Sequence, residues 1–394
     1  AASAGNGEAT PRDAESEVYA RFLLPKKKGY PLWNPGVSDN LPPEYRERGV
    51  SIGDVGTIDE EGGFQYLFNV LLPSDHPMNG AERVPAGFTP LSVPLYTEKR
   101  ANQYAPGTHI ANPESDICKT PLGYREVEMT RELDAALRAG KVPPEVGYGF
   151  RFDVNGPEGA ILILPEGGIR EDHPNEDIFD NYAAKNAISW YAHVNGVLGR
   201  RLGGNSLMLV TGVDKTTAWG AASFCNAEKG TVHMTMVPNT RTQSKYWFRS
   251  VSYATAHSGP PQNSLKEELP GSEVPNQCVF VRGIRVSVKP AALPKTSRLT
   301  VQTRSLRKLS LDDILSPSRF IPYRGNGTKN IEPPKDKAKL NPRPSEPSET
   351  EPETETTVVT TSRIPSKRLV RVSLPALIEA ELIPKASHTI HWQS

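Results

Sequence analysis

The sequence predicts an α+β fold, in which a mostly antiparallel sheet packs against one or two helices joined by long irregular loops, followed by a disordered C-terminal tail. Two observations support it. Apolar, β-branched and aromatic runs of strand length follow one another with few helical segments between them, which favours antiparallel pairing over a doubly wound sheet. Proline, at 37 residues, exceeds its average share, and much of it lies after residue 260.

Composition divides the chain into four regions. Residues 1–16 are small and polar and are predicted to be a disordered arm. Residues 17–290 hold the regular apolar patterns and are predicted to form a single globular domain. Residues 291–368, rich in Pro, Lys, Glu and Thr, bury too little surface to offset the loss of backbone entropy, so disorder is predicted. Residues 369–394 are apolar enough to dock on the domain or on a partner.

The first half of the domain is predicted to be irregular around one hairpin and one helix. The proline-rich segment KKKGYPLWNPGVSDNLPPEYRERG is expected to wrap over the core without a regular element. Two apolar runs, near residues 50–58 and 64–71, flank the turn sequence DEEGG. Residues 73–125 predict long loops with one short strand. A helix is predicted over 127–139, ending at Gly140.

The second half is predicted to be mostly strands around one strong helix. The run GAILIL is apolar at every position, which is typical of a strand buried on both faces. The segment EDIFDNYAAKNAISWYAHV repeats apolar residues at helical spacing and ends at Asn195-Gly196. The carboxylates of Glu171-Asp172 and Glu176-Asp177 are predicted in its first turn, where they complement the helix dipole. Further strands are predicted at YGFRFDV and near residues 206–213, 218–225, 231–237, 245–254 and 278–288.

Charge and cysteine usage argue against several classes of protein. A net charge of +1 gives no field for nucleic acid or an anionic membrane, and no DNA-binding signature occurs. The three cysteines form no C-x-x-C pair, so a reducing compartment is expected. No apolar run reaches the length of a signal peptide or of a transmembrane helix. We expect a soluble cytoplasmic protein, with a nuclear location as the alternative and conditional membrane binding left open.

No familiar catalytic, cofactor or metal motif is complete. GVSIGDVG leads into a strand instead of a helix, and TGVDKTT lacks two glycines of a phosphate-binding loop. The histidines form no H-E-x-x-H pattern, and no G-x-S-x-G elbow occurs. The basic and aromatic strand KYWFR is compatible with a surface for single-stranded nucleic acid, although a core strand flanked by cations is favoured. No cofactor or metal is predicted.

Five residues near element ends are weak candidates for a catalytic site. Asp214 and Lys215 follow the apolar strand SLMLV, where a tight hairpin turn would need the same polar residues. Asp75, His76 and His193 complete the set, and for each histidine a turn, surface or half-buried position is favoured over a functional role.

Six blocks of the sequence resemble a large group of uncharacterised fungal proteins typical of mushroom-forming basidiomycetes. The blocks are WNPGVSDNLPPEYRERGVSIGDVGTI, YLFNVLLPSDHPMNG, GAILILPEGG, SWYAHVNG, SLMLVTGVDKTTAWGAASF and NQCVFVRGIRVSV, within residues 25–290. The resemblance implies an intracellular, repeatedly duplicated domain with a divergent tail, and it brings no activity, cofactor or catalytic residue with it.

Three functions are compatible with these patterns. The leading hypothesis is a non-enzymatic interaction module that binds a protein partner through a surface including Asp214, Lys215 and Trp219, with the tail as a flexible recruiter. An enzyme with an unrecognised site is the second. The third is a conditional membrane-active or pore-forming module in fungal defence, suggested by the apolar hairpins.

Overall fold

The structure is a computed structural model. It describes residues 14–80, 83–94, 96–200, 202–203, 206–239, 245–260, 274–290, 299–306, 356–363 and 366–373. Most of the predicted arm, most of the predicted tail and the end of the docking segment lie outside the described residues.

Helices are few and strands dominate the described chain. The helices are α1 (Glu15–Leu23), α2 (Pro43–Arg48), α3 (Arg131–Arg138) and α4 (Glu176–Ala192), the last running into a π-helical turn, His193–Val197. The strands are β1 (Tyr30–Pro31), β2 (Asp54–Ile58), β3 (Phe64–Asn69), β4 (Glu98–Tyr104), β5 (Thr108–Asn112), β6 (Ile117–Pro121), β7 (Phe150–Val154), β8 (Gly159–Leu164), β9 (Gly168–Asp172), β10 (Leu207–Thr216), β11 (Trp219–Phe224), β12 (Val232–Pro238), β13 (Tyr246–Ser250), β14 (Ala254–Gly259), β15 (Gln277–Pro290), β16 (Leu299–Ser305), β17 (Thr356–Arg363) and β18 (Ser366–Ser373).

The strands form antiparallel sheets. An 8-stranded sheet has the path β1-β15-β10-β2-β3, with β16 on β15, β9 on β10 and β4 on β9. Two 4-stranded sheets have the orders β14-β11-β8-β5 and β13-β12-β7-β6, and β17 and β18 form a separate 2-stranded sheet within the described residues. Every pairing between these strands is antiparallel. The predicted fold class is therefore confirmed.

Helix α4 packs on one face of the 8-stranded sheet. The side chain of Asn175 caps the helix by accepting a hydrogen bond from the backbone nitrogen of Ile178 at 3.3 Å. The apolar stripe predicted from the sequence is buried, with the Trp190 ring 5.7 Å from that of Phe68 in an edge-to-face contact. The helix lies mainly over β15, β16 and β10, and this contact adds β3.

The two 4-stranded sheets enclose a second core. Phe152 and Phe248 of one sheet, whose rings meet edge to face at 5.7 Å, share a buried cluster with Ile161 and Ile163 of β8 in the other sheet. The other face of β8 is covered by α1 through residues such as Leu23. All positions of β8 are therefore buried, which confirms the prediction for the run GAILIL.

The irregular first half contains more regular structure than the sequence predicted. Residues 73–125 hold three strands, β4, β5 and β6, instead of one short strand. Helix α1 begins inside the predicted arm. Helix α2 begins at Pro43, which is tolerated there because the first helical residue needs no intrahelical N–H bond. The segment taken as loop and helix start is strand β9, so Glu171-Asp172 lie in a sheet and α4 begins only at Glu176.

The main sheet extends past residue 290, which is the predicted end of the domain. Strand β16 pairs with β15 along seven residues from Leu299 to Ser305, and Val301 and Leu306 are buried. Strands β17 and β18 form a hairpin at the end of the stretch predicted to be disordered. Strand β16 is stabilised because side chains such as Val301 are buried against the sheet. The average composition of residues 291–368 does not reveal this burial.

An aromatic layer encloses His257. Its ring centroid lies 4.1 Å from that of Trp33 and 5.0 Å from that of Trp219. Burial lowers the pKa of His257 from 6.5 to about 4, despite a backbone hydrogen bond at Trp33 that raises it. The folded state therefore holds this histidine neutral.

Acidification is expected to destabilise the protein through His257. Its stabilising contribution is fully present above pH 6.5 and is lost as the pH falls toward 4, where the folded state must accept the charge. The loss is at most about 1.4 kcal/mol for each pH unit in this window. Urea unfolding across this pH range should therefore show that the stability of wild type falls more steeply with decreasing pH than that of His257→Gln.

The difference between the two proteins isolates this effect from Asp54. Burial raises the pKa of Asp54 from 3.8 to about 7, so its contribution has the opposite sign and is lost as the pH rises. Since Asp54 is present in both proteins, its contribution cancels. Parallel pH profiles for wild type and His257→Gln would contradict the prediction.

Candidate functional site

Strand β10 lies at the centre of the candidate site. It pairs with β15 on one edge and with β2 and β9 on the other, and all of its residues are buried. Asp214 and Lys215 are consecutive in this strand, with exposed fractions of 0% and 7%. Since successive side chains of a strand point to opposite faces, the two residues belong to different environments.

Asp214 is the centre of a buried ion-pair network. Its Oδ1 accepts hydrogen bonds from Arg170 Nε at 2.9 Å and from Arg282 Nη1 at 2.6 Å. Its Oδ2 accepts from Arg170 Nη2 at 2.9 Å and from the Tyr104 hydroxyl. The carboxylate thus binds four donors from β4, β9 and β15, so it ties three strands to β10 and has no acceptor position left for a substrate.

Arg282 is equally well satisfied although its side chain is only 2% exposed. It forms an ion pair with Asp172 through Nε and donates to backbone carbonyl oxygens at three further positions. These are Lys28 at 3.0 Å, Val213 at 2.9 Å and Glu171 at 3.3 Å. The network therefore balances two guanidinium groups against two carboxylates and is structural.

Glycine at position 212 gives this network its space. A Cβ at Gly212 would lie 2.0 Å from Asp172 Oδ1 and 2.9 Å from Arg282 Nε. No side chain fits between these two groups and β10 while they remain paired.

Lys215 meets only neutral partners. Its Nζ donates to the Arg48 carbonyl oxygen at 2.5 Å and lies 3.5 Å from Ser51 Oγ. Among the described residues no carboxylate forms an ion pair with it. Burial lowers the pKa of Lys215, and nearby acidic groups, including those of Asp54 and Glu171, offset part of that effect.

A buried network positions the loop that Lys215 contacts. Asp54 Oδ2 accepts hydrogen bonds from the Ser51 backbone nitrogen at 2.7 Å and from the Tyr45 hydroxyl at 3.2 Å. Its Oδ1 accepts from Asn69 Nδ2 at 2.8 Å. Because Asp54 is itself fully buried, these bonds fix the loop between α2 and β2 against the sheet.

Lys215 lines a cleft of about 360 Å³ between this loop, β4 and β9. Its polar lining consists of Arg48, Ser51, Thr97, Lys99, Glu171, His173 and Lys215. Its apolar lining consists of Ile52, Leu71, Val93, Pro94, Ile169, Val274 and Pro275. The volume lies within the range of natural small-molecule sites, about 300–1,000 Å³.

The charges in the cleft are unequal. Lys99 is opposite Glu171 in the β4–β9 ladder, so these two residues offset each other, and Glu171 Oε1 also accepts a hydrogen bond from Thr97 at 3.0 Å. Arg48 lies 3.7 Å from Glu44 outside the cleft lining, at an exposed position. Lys215 therefore contributes a positive charge without a paired carboxylate in the described chain, and the cleft is cationic.

Only one of the five sequence candidates lines the cleft. This residue is Lys215. Asp214 belongs to the buried ion-pair network. Both residues lie inside β10 instead of in the expected turn. His193 Nε2 is 3.0 Å from the Arg83 carbonyl oxygen, and burial lowers its pKa. His76 accepts a backbone hydrogen bond from Met78, and Asp75 is exposed. The structure does not bring these five residues together.

Sequence reasoning missed most of the cleft. Glu171 was assigned to a helix terminus, and His173 was treated as an ordinary histidine. The alternation in Gly168–Asp172, where Ile169 and Glu171 share one face and Arg170 and Asp172 the other, was the available signal for a strand.

The described residues contain no metal-ligand cluster of three or more His, Cys, Asp or Glu side chains. In the same part of the chain, no helix is long and apolar enough to cross a membrane.

Comparison of the sequence with protein-family models, with curated proteins and with solved structures finds no match. The functional argument therefore starts from the geometry of the cleft.

Proposed function

We propose that the protein binds a small organic anion in the cleft beside Lys215. The observation that supports this most strongly is that Lys215, only 7% exposed, lines the cleft. Among the described residues its ammonium has only a carbonyl and a hydroxyl oxygen as partners. A buried charge without a counter-charge is costly, so an anion in the cleft would be stabilised by compensating it.

The lining also indicates the class of ligand. Ile52, Leu71 and Val93 form an apolar wall, so the anion is expected to carry an apolar body. Arg48 and Lys99 lie in the same cleft and favour a carboxylate or a similar planar anion. A short-chain or aryl-substituted carboxylic acid meets both requirements.

Calorimetric titration of the full chain with phenylacetate and hexanoate tests this proposal. Lys215→Met keeps the length of the side chain and removes its charge, so we expect it to weaken binding about tenfold or more, equivalent to about 1.4 kcal/mol. The matched control is Lys229→Met, because Lys229 is an exposed lysine in the turn between β11 and β12. Equal affinities for wild type and Lys215→Met, or no heat with either acid, would refute the proposal.

A second candidate function is the interaction module. The surface expected around Asp214, Lys215 and Trp219 is interior, with exposed fractions of 0%, 7% and 5%. An exposed aromatic patch lies elsewhere: Trp247 is 49% exposed on the outer face of β13, and Tyr253, beyond the end of that strand, is 57% exposed. The Arg249 guanidinium lies 4.8 Å from the Trp247 ring centroid. Aromatic and arginine side chains together are typical of binding hot spots.

Removing the Trp247 ring is expected to weaken any protein association through this patch. In quantitative pull-downs, Trp247→Ala should retain at most about a tenth of the partner that wild type retains, since a hot-spot residue contributes about 2 kcal/mol or more. Tyr124→Ala is the control, because Tyr124 is 60% exposed near α3. Equal recovery with both variants would exclude this patch.

The membrane-active hypothesis and the fungal resemblance stay predictions. The apolar hairpin predicted near residues 50–58 and 64–71 forms β2 and β3, and most of its strand residues are buried. Dye release from anionic liposomes after removal of the tail remains its test.

A further inference from the structure

We propose that Lys215 forms an imine with the carbonyl group of a 2-oxo acid bound in the cleft. The inference rests on the proposed binding of an organic anion and adds a covalent step to it. It assigns Lys215 as the nucleophile and identifies the ligand class as an acid with a neighbouring ketone or aldehyde.

The position of the amine supports this assignment. Lys215 Nζ lies at the wall of the cleft beside the loop 48–51, in the same cleft as the cationic side chains of Arg48 and Lys99. Lysines become nucleophilic where they are desolvated or close to another cation, because both conditions favour the neutral amine. Burial lowers the pKa of Lys215 in accordance with this placement.

Other nucleophiles near β10 are excluded by their surroundings. Cys278 is fully buried and directs its thiol to the Phe280 carbonyl oxygen at 3.4 Å, and burial raises its pKa to about 12. The Ser51 hydroxyl donates to the Gly49 carbonyl oxygen at 2.9 Å. Lys215 is therefore the reactive group that the geometry favours.

The cleft holds a carboxylate for the proton transfers. Glu171 lines it, and its Oε1 accepts a hydrogen bond from Thr97 at 3.0 Å. A carboxylate positioned in this way can accept a proton and return it during the reaction. His173 also lines the cleft, but its Nδ1 accepts from the Asn175 backbone nitrogen at 3.2 Å and its Nε2 lies 3.4 Å from the Pro94 carbonyl oxygen, so both ring nitrogens are engaged. Arg48 and Lys99 line the same cleft, where their positive charge favours the carboxylate of the ligand.

The step balances without any other reactant. The ammonium gives one proton to Glu171, and the neutral amine forms a C–N bond to the carbonyl carbon while the carbonyl oxygen gains the proton that the nitrogen loses. Glu171 then returns its proton to the carbinolamine hydroxyl, the C–O bond breaks, and water leaves. The products are a protonated imine and one water molecule, with the total charge unchanged.

Reductive trapping tests the proposal on the full chain. The protein is incubated with 2-oxobutyrate and cyanoborohydride, and peptide mapping by mass spectrometry locates the reduced adduct. We expect the adduct at Lys215 to form at least about tenfold faster than at Lys229, since each unit by which a lysine pKa falls raises the neutral fraction about tenfold. Lys215→Arg should remove the adduct at this site, and Lys229→Arg should leave it unchanged.

Binding of 2-hydroxybutyrate, which has no carbonyl carbon for the amine to attack, separates the two proposals. If both acids bind but the reduced adducts form on lysines in proportion to their solvent exposure, the imine is refuted and the anion site stands. If neither acid binds, both proposals fall. Should Lys215→Arg not fold, the position of the adduct in the wild-type peptide map still decides the question.

Discussion

Replacing Arg282 by methionine is expected to destabilise the protein by about 3–5 kcal/mol, because removing one partner from a buried ion-pair network is strongly destabilising. Arg282 pairs with both Asp172 and Asp214, and it also satisfies backbone carbonyl oxygens from two strands and from the Lys28 segment. Asp214 would retain Arg170 and Tyr104, but Asp172 would lose its ion pair with Arg282. Arg282 thus joins β15 to β9, to β10 and to the Lys28 segment.

Urea unfolding measures this effect directly. Arg138→Met is the matched control, since Arg138 pairs with Asp134 on the surface of α3 with 79% of its side chain exposed. Exposed pairs of this kind contribute about 0.5 kcal/mol. A loss of less than about 1 kcal/mol for Arg282→Met would show that the network is dispensable.

Alanine at position 49 is expected to destabilise the protein by about 3 kcal/mol, through strain and overlap together. Gly49 ends α2 with a φ of +62°, and a Cβ there would lie 2.1 Å from the Asn276 carbonyl oxygen. The neighbouring Arg48 carbonyl accepts the Lys215 hydrogen bond, so the same change should disturb the cleft. Ligand affinity should therefore fall with stability.

Gly140→Ala separates strain from overlap. Gly140 has a similar φ of +68°, but an added Cβ would meet no atom within 4 Å. Gly140→Ala should therefore lower the free energy of unfolding by only about 1 kcal/mol, which is the energy that alanine needs to adopt the left-handed conformation. If the Gly49→Ala and Gly140→Ala variants lost equal stability, the close contact at Asn276 would have to relax without an energetic cost.

Local patterns predicted the elements with strong and simple periodicity. The helical repeat of α4 and the wholly apolar run of β8 were identifiable because each element buries a defined face or both faces. Strands β4 and β9 were not, because their pattern is polar: β4 is exposed along most of its length, and its pairing with β9 is a long-range property. Residues 73–125 therefore resembled loops in the sequence.

The site was predictable only in part for the same reason. Lys215 was identified as an acid–base neighbour of Asp214, yet the two side chains have separate partners. The structural role of Asp214 becomes evident only from its ion pairs with Arg170 of β9 and Arg282 of β15, and these two residues are distant from it in sequence. Likewise, Glu171 and His173 reach the cleft only because β9 pairs with β10.

The most direct test of the anion-binding cleft is the magnetic resonance of isotope-labelled histidine side chains during titration with phenylacetate. His173 lines the cleft, whereas His193 is buried beside the Arg83 carbonyl and His257 lies between Trp33 and Trp219. We predict a saturable shift of the His173 signals, with those of His193 and His257 unchanged. No shift at His173, or equal shifts at all three histidines, would contradict the account.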